Sequence, residues 1–164
     1  MKRYLVAMAL GASVMMLMTD AHGQEPTDNL FANPSFEEGM TEGEPFGVPT
    51  GWSLYAGDGR DSRLELVQPG YESEQALLIQ DGDPTAEIGI YQDVEAEGGI
   101  AYEASAMVKA LTPGSGAGAY IQLRFAPSGE FQQVGLEGAR SDQFTRISVV
   151  GMAPEDTTQI RVYY

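Results

Sequence analysis

Glycine and proline break this sequence too often for long helices. Its 20 glycines and 9 prolines fall near the ~8–12-residue spacing at which turns recur in an all-β sandwich. No window carries apolar residues at helical spacing for three turns. What remains are short runs at 29–31, 52–56, 63–67, 76–80, 87–94, 101–110, 119–125, 131–136, 144–151 and 159–164. Turns join them at Gly57-Asp58-Gly59, Gln68-Pro69-Gly70, Asp81-Gly82-Asp83-Pro84, Glu97-Gly98-Gly99 and Pro127-Ser128-Gly129. About ten short strands without a helix predict two packed antiparallel sheets, an all-β sandwich. Gly114-Ser115-Gly116-Ala117-Gly118 reads as a flexible loop too short to separate domains.

The first 23 residues read differently. Lys2 and Arg3 precede an almost uncharged apolar run from Tyr4 to Met18, and five of the eight methionines crowd here. Ala21-His22-Gly23 has small residues where a signal peptidase reads, which predicts cleavage before Gln24. The run is shorter than the ~20 residues of a spanning helix, so no stable membrane insertion is expected. The organisation is then a signal peptide at 1–23, a polar linker at 24–28 and one β domain at 29–164. The protein is expected outside the cytoplasm: secreted, periplasmic or on the cell surface.

Cleavage narrows the chemistry. The one histidine, His22, leaves with the leader, and the chain has no cysteine. That excludes Ser-His-Asp and Cys-His catalysis and zinc sites built on those ligands. With no disulfide to help, the core alone must hold the domain. The formal charge is −15, and losing Lys2, Arg3 and Asp20 makes it −16. Such a surface repels nucleic acid and polyanionic glycans at long range. Most of these carboxylates read simply as a solvated surface.

Alternation assigns faces to the strands. Ile121, Leu123 and Phe125 should face the core and Tyr120, Gln122 and Arg124 the other side. Tyr102, Ala104, Ala106 and Val108 should point in, with Ser105, Met107 and Lys109 out. Ile160, Val162 and Tyr164 should point in, with Gln159, Arg161 and Tyr163 out. The run Ile88 to Val94 is ambiguous, because Gln92 shares a face with Ile90 and Val94. The outward set holds amides, guanidinium, ammonium and phenol groups. A sugar needs an aromatic face for its C–H side and planar donors and acceptors for its hydroxyls, which Tyr, Gln and Arg supply. Ordinary solvated strand residues are the plain alternative.

Two motifs stand at the start of the domain. Asn29-Leu30-Phe31-Ala32-Asn33-Pro34-Ser35-Phe36-Glu37-Glu38-Gly39 is followed by Pro49-Thr50-Gly51-Trp52-Ser53-Leu54-Tyr55. Together they resemble the opening of the secreted carbohydrate-binding modules of families 4, 9 and 22, which are galactose-binding-like jelly rolls. The resemblance implies that Tyr55, three residues after Gly-Trp, stacks on sugar, and that Gln92 is a cleft amide. It points further to Gln122, Ser128, Phe131 and Gln159 as carbohydrate-binding residues, with Gln132 as the alternative to Phe131, and to Tyr163, which departs from the amide that the family places there. Tyr120 and Arg124 join these candidates from the outward face that alternation gives. Trp52 reads as core. Glu37, with Asn33, is implied as ligand to a structural calcium; an exposed glutamate beside a turn is the competing reading. No catalytic cofactor is implied.

The function expected from this is a non-catalytic module binding a neutral polysaccharide or oligosaccharide of β-glucan or xylan type in an open cleft. The module could belong to a longer parent with a catalytic domain. A glycoside hydrolase or polysaccharide lyase on the same architecture, or a cell-surface domain with a protein partner, stays open. The resemblance also implies one more strand, acidic and ending in valine, beyond Ile160-Arg161-Val162-Tyr163-Tyr164, so the domain is expected to be C-terminally incomplete, with an unpaired sheet edge.

Overall fold

A computed structural model describes residues 29–43, 45–56, 62–82 and 87–164, together with the backbone of 7–17. The predicted linker 24–28, the turn at Gly57-Asp58-Gly59 and the second half of the turn at 81–84 lie outside the described residues. The strands are β1 (Ala7–Leu17), β2 (Ser53–Ala56), β3 (Arg63–Val67), β4 (Ala76–Gln80), β5 (Ile88–Glu95), β6 (Ala101–Lys109), β7 (Tyr120–Ala126), β8 (Phe131–Gly135), β9 (Thr145–Met152) and β10 (Gln159–Tyr163). Among the described residues there is no helix.

Among the described residues two five-stranded sheets form, in the orders β3-β4-β1-β6-β9 and β2-β5-β10-β7-β8. Every neighbouring pair is antiparallel. Each sheet turns its apolar face to the other, as strand alternation dictates. Ile121, Leu123 and Phe125, then Ile160, Val162 and Tyr164, are buried, and so are Tyr102, Ala104, Ala106 and Val108. Ser105 departs from its expected outward exposure: it is only 2 % exposed, and Arg146 donates to its hydroxyl from the neighbouring strand β9 at 3.2 Å. Lys109 lies over the Phe144 ring, 5.9 Å from its centroid.

The expected strand at 29–31 is not a strand. The segment is instead a loop whose Phe31 and Phe36 side chains enter the core. Asn33 and Phe36 take positive φ, 46° and 63°, a region that Asn tolerates and Phe enters only when tertiary contacts hold it there. Those contacts are aromatic. Phe31 and Phe36 stand 4.9 and 5.6 Å from Trp52, and Tyr164 closes the cluster 5.8 Å from the same ring. Trp52 is 5 % exposed, as its core reading requires, and its indole N–H donates to the Asn33 carbonyl at 3.1 Å.

Strand β1 comes from the segment that the sequence reads as a leader. It lies mid-sheet, pairing Ala7, Met8 and Ala9 with Leu78, Leu77 and Ala76 of β4. On its other side it pairs with β6 from Ala7↔Lys109 to Leu17↔Ala101, with an irregularity between Ala9 and Ser13.

Candidate functional site

The outer face of the second sheet is assembled by register. Ser53 of β2 stands opposite Tyr91 of β5, Tyr91 opposite Tyr163 of β10, Tyr163 opposite Gln122 of β7, and Gln122 opposite Gln133 of β8. The next row runs Asp93, Arg161, Arg124, Phe131 across the same strands. The intervening residues Ile90, Ile121, Leu123, Ile160 and Val162 are buried. Period-two alternation therefore sends both rows outward.

Tyr163 is the centre of this face. Its ring meets Tyr55 edge-on at 5.2 Å and Tyr91 at 5.7 Å. On one side of it lies a small hollow of about 50 Å³, lined by Tyr55, Asp81, Glu87 and Tyr120 among others. On the other side lies an open groove of about 430 Å³, lined by Arg124, Gly129, Gln159 and Arg161 among others. Tyr163 borders both.

The polar groups are held by one another. The Tyr55 and Tyr120 hydroxyls both donate to Glu87 Oε2, at 3.0 and 3.1 Å. The hydrogen bond to Glu87 pushes the Tyr55 phenol above its ordinary value. Burial, then the Glu87 charge, pushes Tyr120 up further. Arg161 grips Asp93 through two parallel bonds of 2.7 Å and stacks on the Tyr91 ring at 4.3 Å. That clamp fixes the guanidinium plane and uses two of its five donors. Gln122 donates to Gln133 at 2.9 Å.

Of the residues singled out from sequence, Tyr55, Tyr120, Gln122, Arg124, Phe131, Gln159 and Tyr163 come together on this face. Phe131 is 53 % exposed opposite Arg124. Gln132 points the other way, towards Gly151 of the first sheet. Ser128 stands in the β7–β8 turn, beside groove residues Pro127 and Gly129, where its hydroxyl accepts from the Glu130 N–H at 3.2 Å. Gln92 does not join the face. It is 8 % exposed on the core side of β5, where its amide accepts from Ala32 N at 2.8 Å and donates to Ala32 O and Gly51 O at 3.1 and 2.8 Å. The cleft position is corrected because the amide is spent joining two loops. The expected outer face shared by three strands is also divided: β6, with Met107 and Lys109, belongs to the opposite sheet. Sequence reasoning missed Tyr91, Asp93, Glu87 and Gln133. Alternation from Ile90 and Val94 would have placed Tyr91 and Asp93 outward, had buried Gln92 not obscured it.

The calcium expectation rests on Asn33 and Glu37. Asn33 is 6 % exposed; it donates to Thr50 O at 2.9 Å and accepts from Glu38 N at 3.2 Å. Glu37 accepts from Gln75 N at 3.0 Å. A calcium cage usually needs about 6–8 oxygens. Among the described residues no three His, Cys, Asp or Glu side chains converge as a metal site. Both side chains fasten loops through these bonds.

No family model matches this chain, and neither a curated protein nor a solved structure matches it significantly.

Proposed function

We propose that this protein is an exported, non-catalytic carbohydrate-binding module of jelly-roll type. It would bind a neutral polysaccharide of β-glucan or xylan type across the outer face of its second sheet. The observation that carries this reading is the Tyr163 cluster: one partly buried phenol ring between two others, with a hollow on one side and an Arg- and amide-lined groove on the other. Rings with a polar tip suit a wet surface and the C–H face of a pyranose. Glu87, Gln122 and Gln159 supply acceptors and donors for hydroxyls beside them. The face is open and preformed by strands, as an extended chain requires. Tyr55 and Tyr120 are both pushed up by Glu87 and burial, which keeps their hydroxyls protonated as hydrogen-bond donors.

Isothermal titration of the exported protein against soluble β-glucan, xylan and mannan tests this. One of them should bind, and Tyr163→Ala should weaken it roughly tenfold or more, the cost of an anchor aromatic. A ligand that binds parent and Tyr163→Ala equally would move the site elsewhere. A reducing-sugar assay that shows turnover would replace the binding reading with an enzymatic one.

A further inference from the structure

The geometry points to a strand-acceptor slot in the middle of the first sheet, between β4 and β6, which takes an apolar β-strand from a partner polypeptide once the leader has been removed. The inference rests on the leader reading and not on carbohydrate binding.

The strand now in that slot is β1, residues Ala7–Leu17, inside the segment whose sequence marks it for cleavage before Gln24. It runs antiparallel to both neighbours. Therefore β4 and β6 run parallel to each other, separated by two strand spacings, about 10 Å. Without β1 they cannot simply close up. Each would have to move by a full strand width and pair in parallel, while β4 stays bound to β3 and β6 to β9.

The flanks are the sheet's most buried strands. With β1 seated, Leu77, Ile79, Ala104, Ala106 and Val108 are at most 1 % exposed. Removing β1 would open two rows of backbone N–H and C=O groups beside these side chains. A buried backbone group without a partner costs about as much as a lost hydrogen bond, and an open apolar edge is a template for another strand. The occupant's chemistry follows from the position. The strand seated there, AMALGASVMML, carries no charge and no proline and bonds along both of its edges. The partner segment is therefore extended, apolar, free of proline and long enough to span the register from Leu78 to Ala101. Its mode of recognition is strand addition, with main-chain bonds on both edges.

The experiment compares the exported, processed protein with the unprocessed chain of residues 1–164. Mass spectrometry of the exported form should place its first residue at or near Gln24. The probe is a synthetic peptide of residues 7–17 with lysines added at both ends for solubility. It should bind the processed protein one to one by native mass spectrometry and raise its melting temperature by about 5 °C or more. The same peptide carrying Val14→Pro should do neither, because proline removes a donor that a central strand needs. The unprocessed chain, with its slot filled, should take up no peptide. If the processed protein does not fold alone, Val14→Pro in the 1–164 chain loosens β1 in place, and the unmodified peptide should restore its melting temperature. The inference is overturned if the exported protein keeps residues 7–17. It is also overturned if the processed chain melts cooperatively as a monomer that the peptide leaves unchanged, or closes its slot with a second copy that the peptide does not displace.

Discussion

Replacing Gln92 with leucine separates two roles for one residue. The side chain is 8 % exposed and makes three hydrogen bonds of 2.8 to 3.1 Å to the backbone of Ala32 and Gly51. Neutral hydrogen bonds contribute about 1 kcal/mol each, and a buried group left without a partner costs about 1–3 kcal/mol more. Ala32 and Gly51 are themselves exposed, so their freed groups regain water and the second penalty is mostly avoided. The expected loss is therefore about 2–3 kcal/mol, near 10 °C in melting temperature for a domain of this size. Gln92→Glu should be worse than leucine, because it sets a carboxylate against two carbonyl oxygens that now accept from the amide. The fluorescence of Trp52 is the assay. It is the single tryptophan, packs against Phe31 and Phe36 and donates to Asn33 O, so it reports on the loop that Gln92 fastens. Glycan affinity measured well below the melt should stay within about twofold of the parent, a difference below 0.5 kcal/mol. A Gln92→Leu protein that melts within a degree or two of the parent but loses its glycan would refute the argument and return Gln92 to the cleft.

Three further outcomes follow from neighbouring contacts. The Tyr164 phenol is buried, pushed well above its ordinary value by burial, and donates to Ser105 O at 3.0 Å. A raised folded value means its contribution is complete below about pH 10 and is lost as pH climbs above that. Tyr164→Phe should cost about 1 kcal/mol at pH 7 and make the decline in melting temperature between about pH 10 and 11 shallower, with Tyr55 and Tyr120 keeping part of it. An alkaline limb as steep as the parent's would show that Tyr164 is not responsible. For Asn33→Ala, the loss of the Thr50 and Glu38 bonds and of a residue suited to φ 46° should cost roughly 2–3 kcal/mol. A calcium-dependent rise in the parent's melt that Glu37→Gln abolishes would support a structural calcium at this loop; a melt that EDTA leaves unchanged would remove it.

Most of the sandwich was legible because alternation is a local property of the chain. Nine runs identified from apolar periodicity and Gly or Pro punctuation correspond to β2 through β10 within about two residues of their ends. The inward sets of β7 and β10 follow from parity alone. What the sequence did not reveal depends on partners far along the chain. Beside the 29–31 run, the Ala32 N–H and C=O pair with the Gln92 amide, 60 residues away, a contact that no local pattern announces. Gln92 misleads for the same reason: an amide can be buried when its bonds are met, and periodicity cannot see the loop that meets them. Which sheet a strand joins is equally non-local. The polar residues of β6 look like those of β7 and β10, yet they face the opposite side of the sandwich. Glu87 lies next to β5 and matters only because Tyr55 and Tyr120, on β2 and β7, reach it from two directions.

On the proposed carbohydrate-binding reading, charge decides which glycans the face can accept. The chain carries −15 overall, and the face does not reverse that sign. Arg161 is already matched to Asp93, Lys109 lies on the other sheet, and the hollow contains Glu87 and Asp81. Arg124, which makes no ion pair among the described residues, stands alone against them. A polyuronate brought to Tyr163 would place its carboxylates beside Glu87, where like charges repel most strongly at low ionic strength. A neutral chain instead offers hydroxyls, for which Glu87 is an acceptor. Binding of a neutral glucan or xylan should therefore change by no more than about twofold between 0.05 and 1 M NaCl, a range over which screening shortens from more than 10 Å to about 3 Å. Glu87→Gln keeps an acceptor and removes one charge. It should leave the neutral ligand within a few-fold of its parent affinity and raise whatever weak binding alginate or polygalacturonate shows. Affinity electrophoresis in gels containing each polymer reads both effects side by side. Tighter binding of the parent to a polyuronate than to any neutral glycan at low salt would mean that Arg124 and Arg161 govern the face, and that the tyrosines do not.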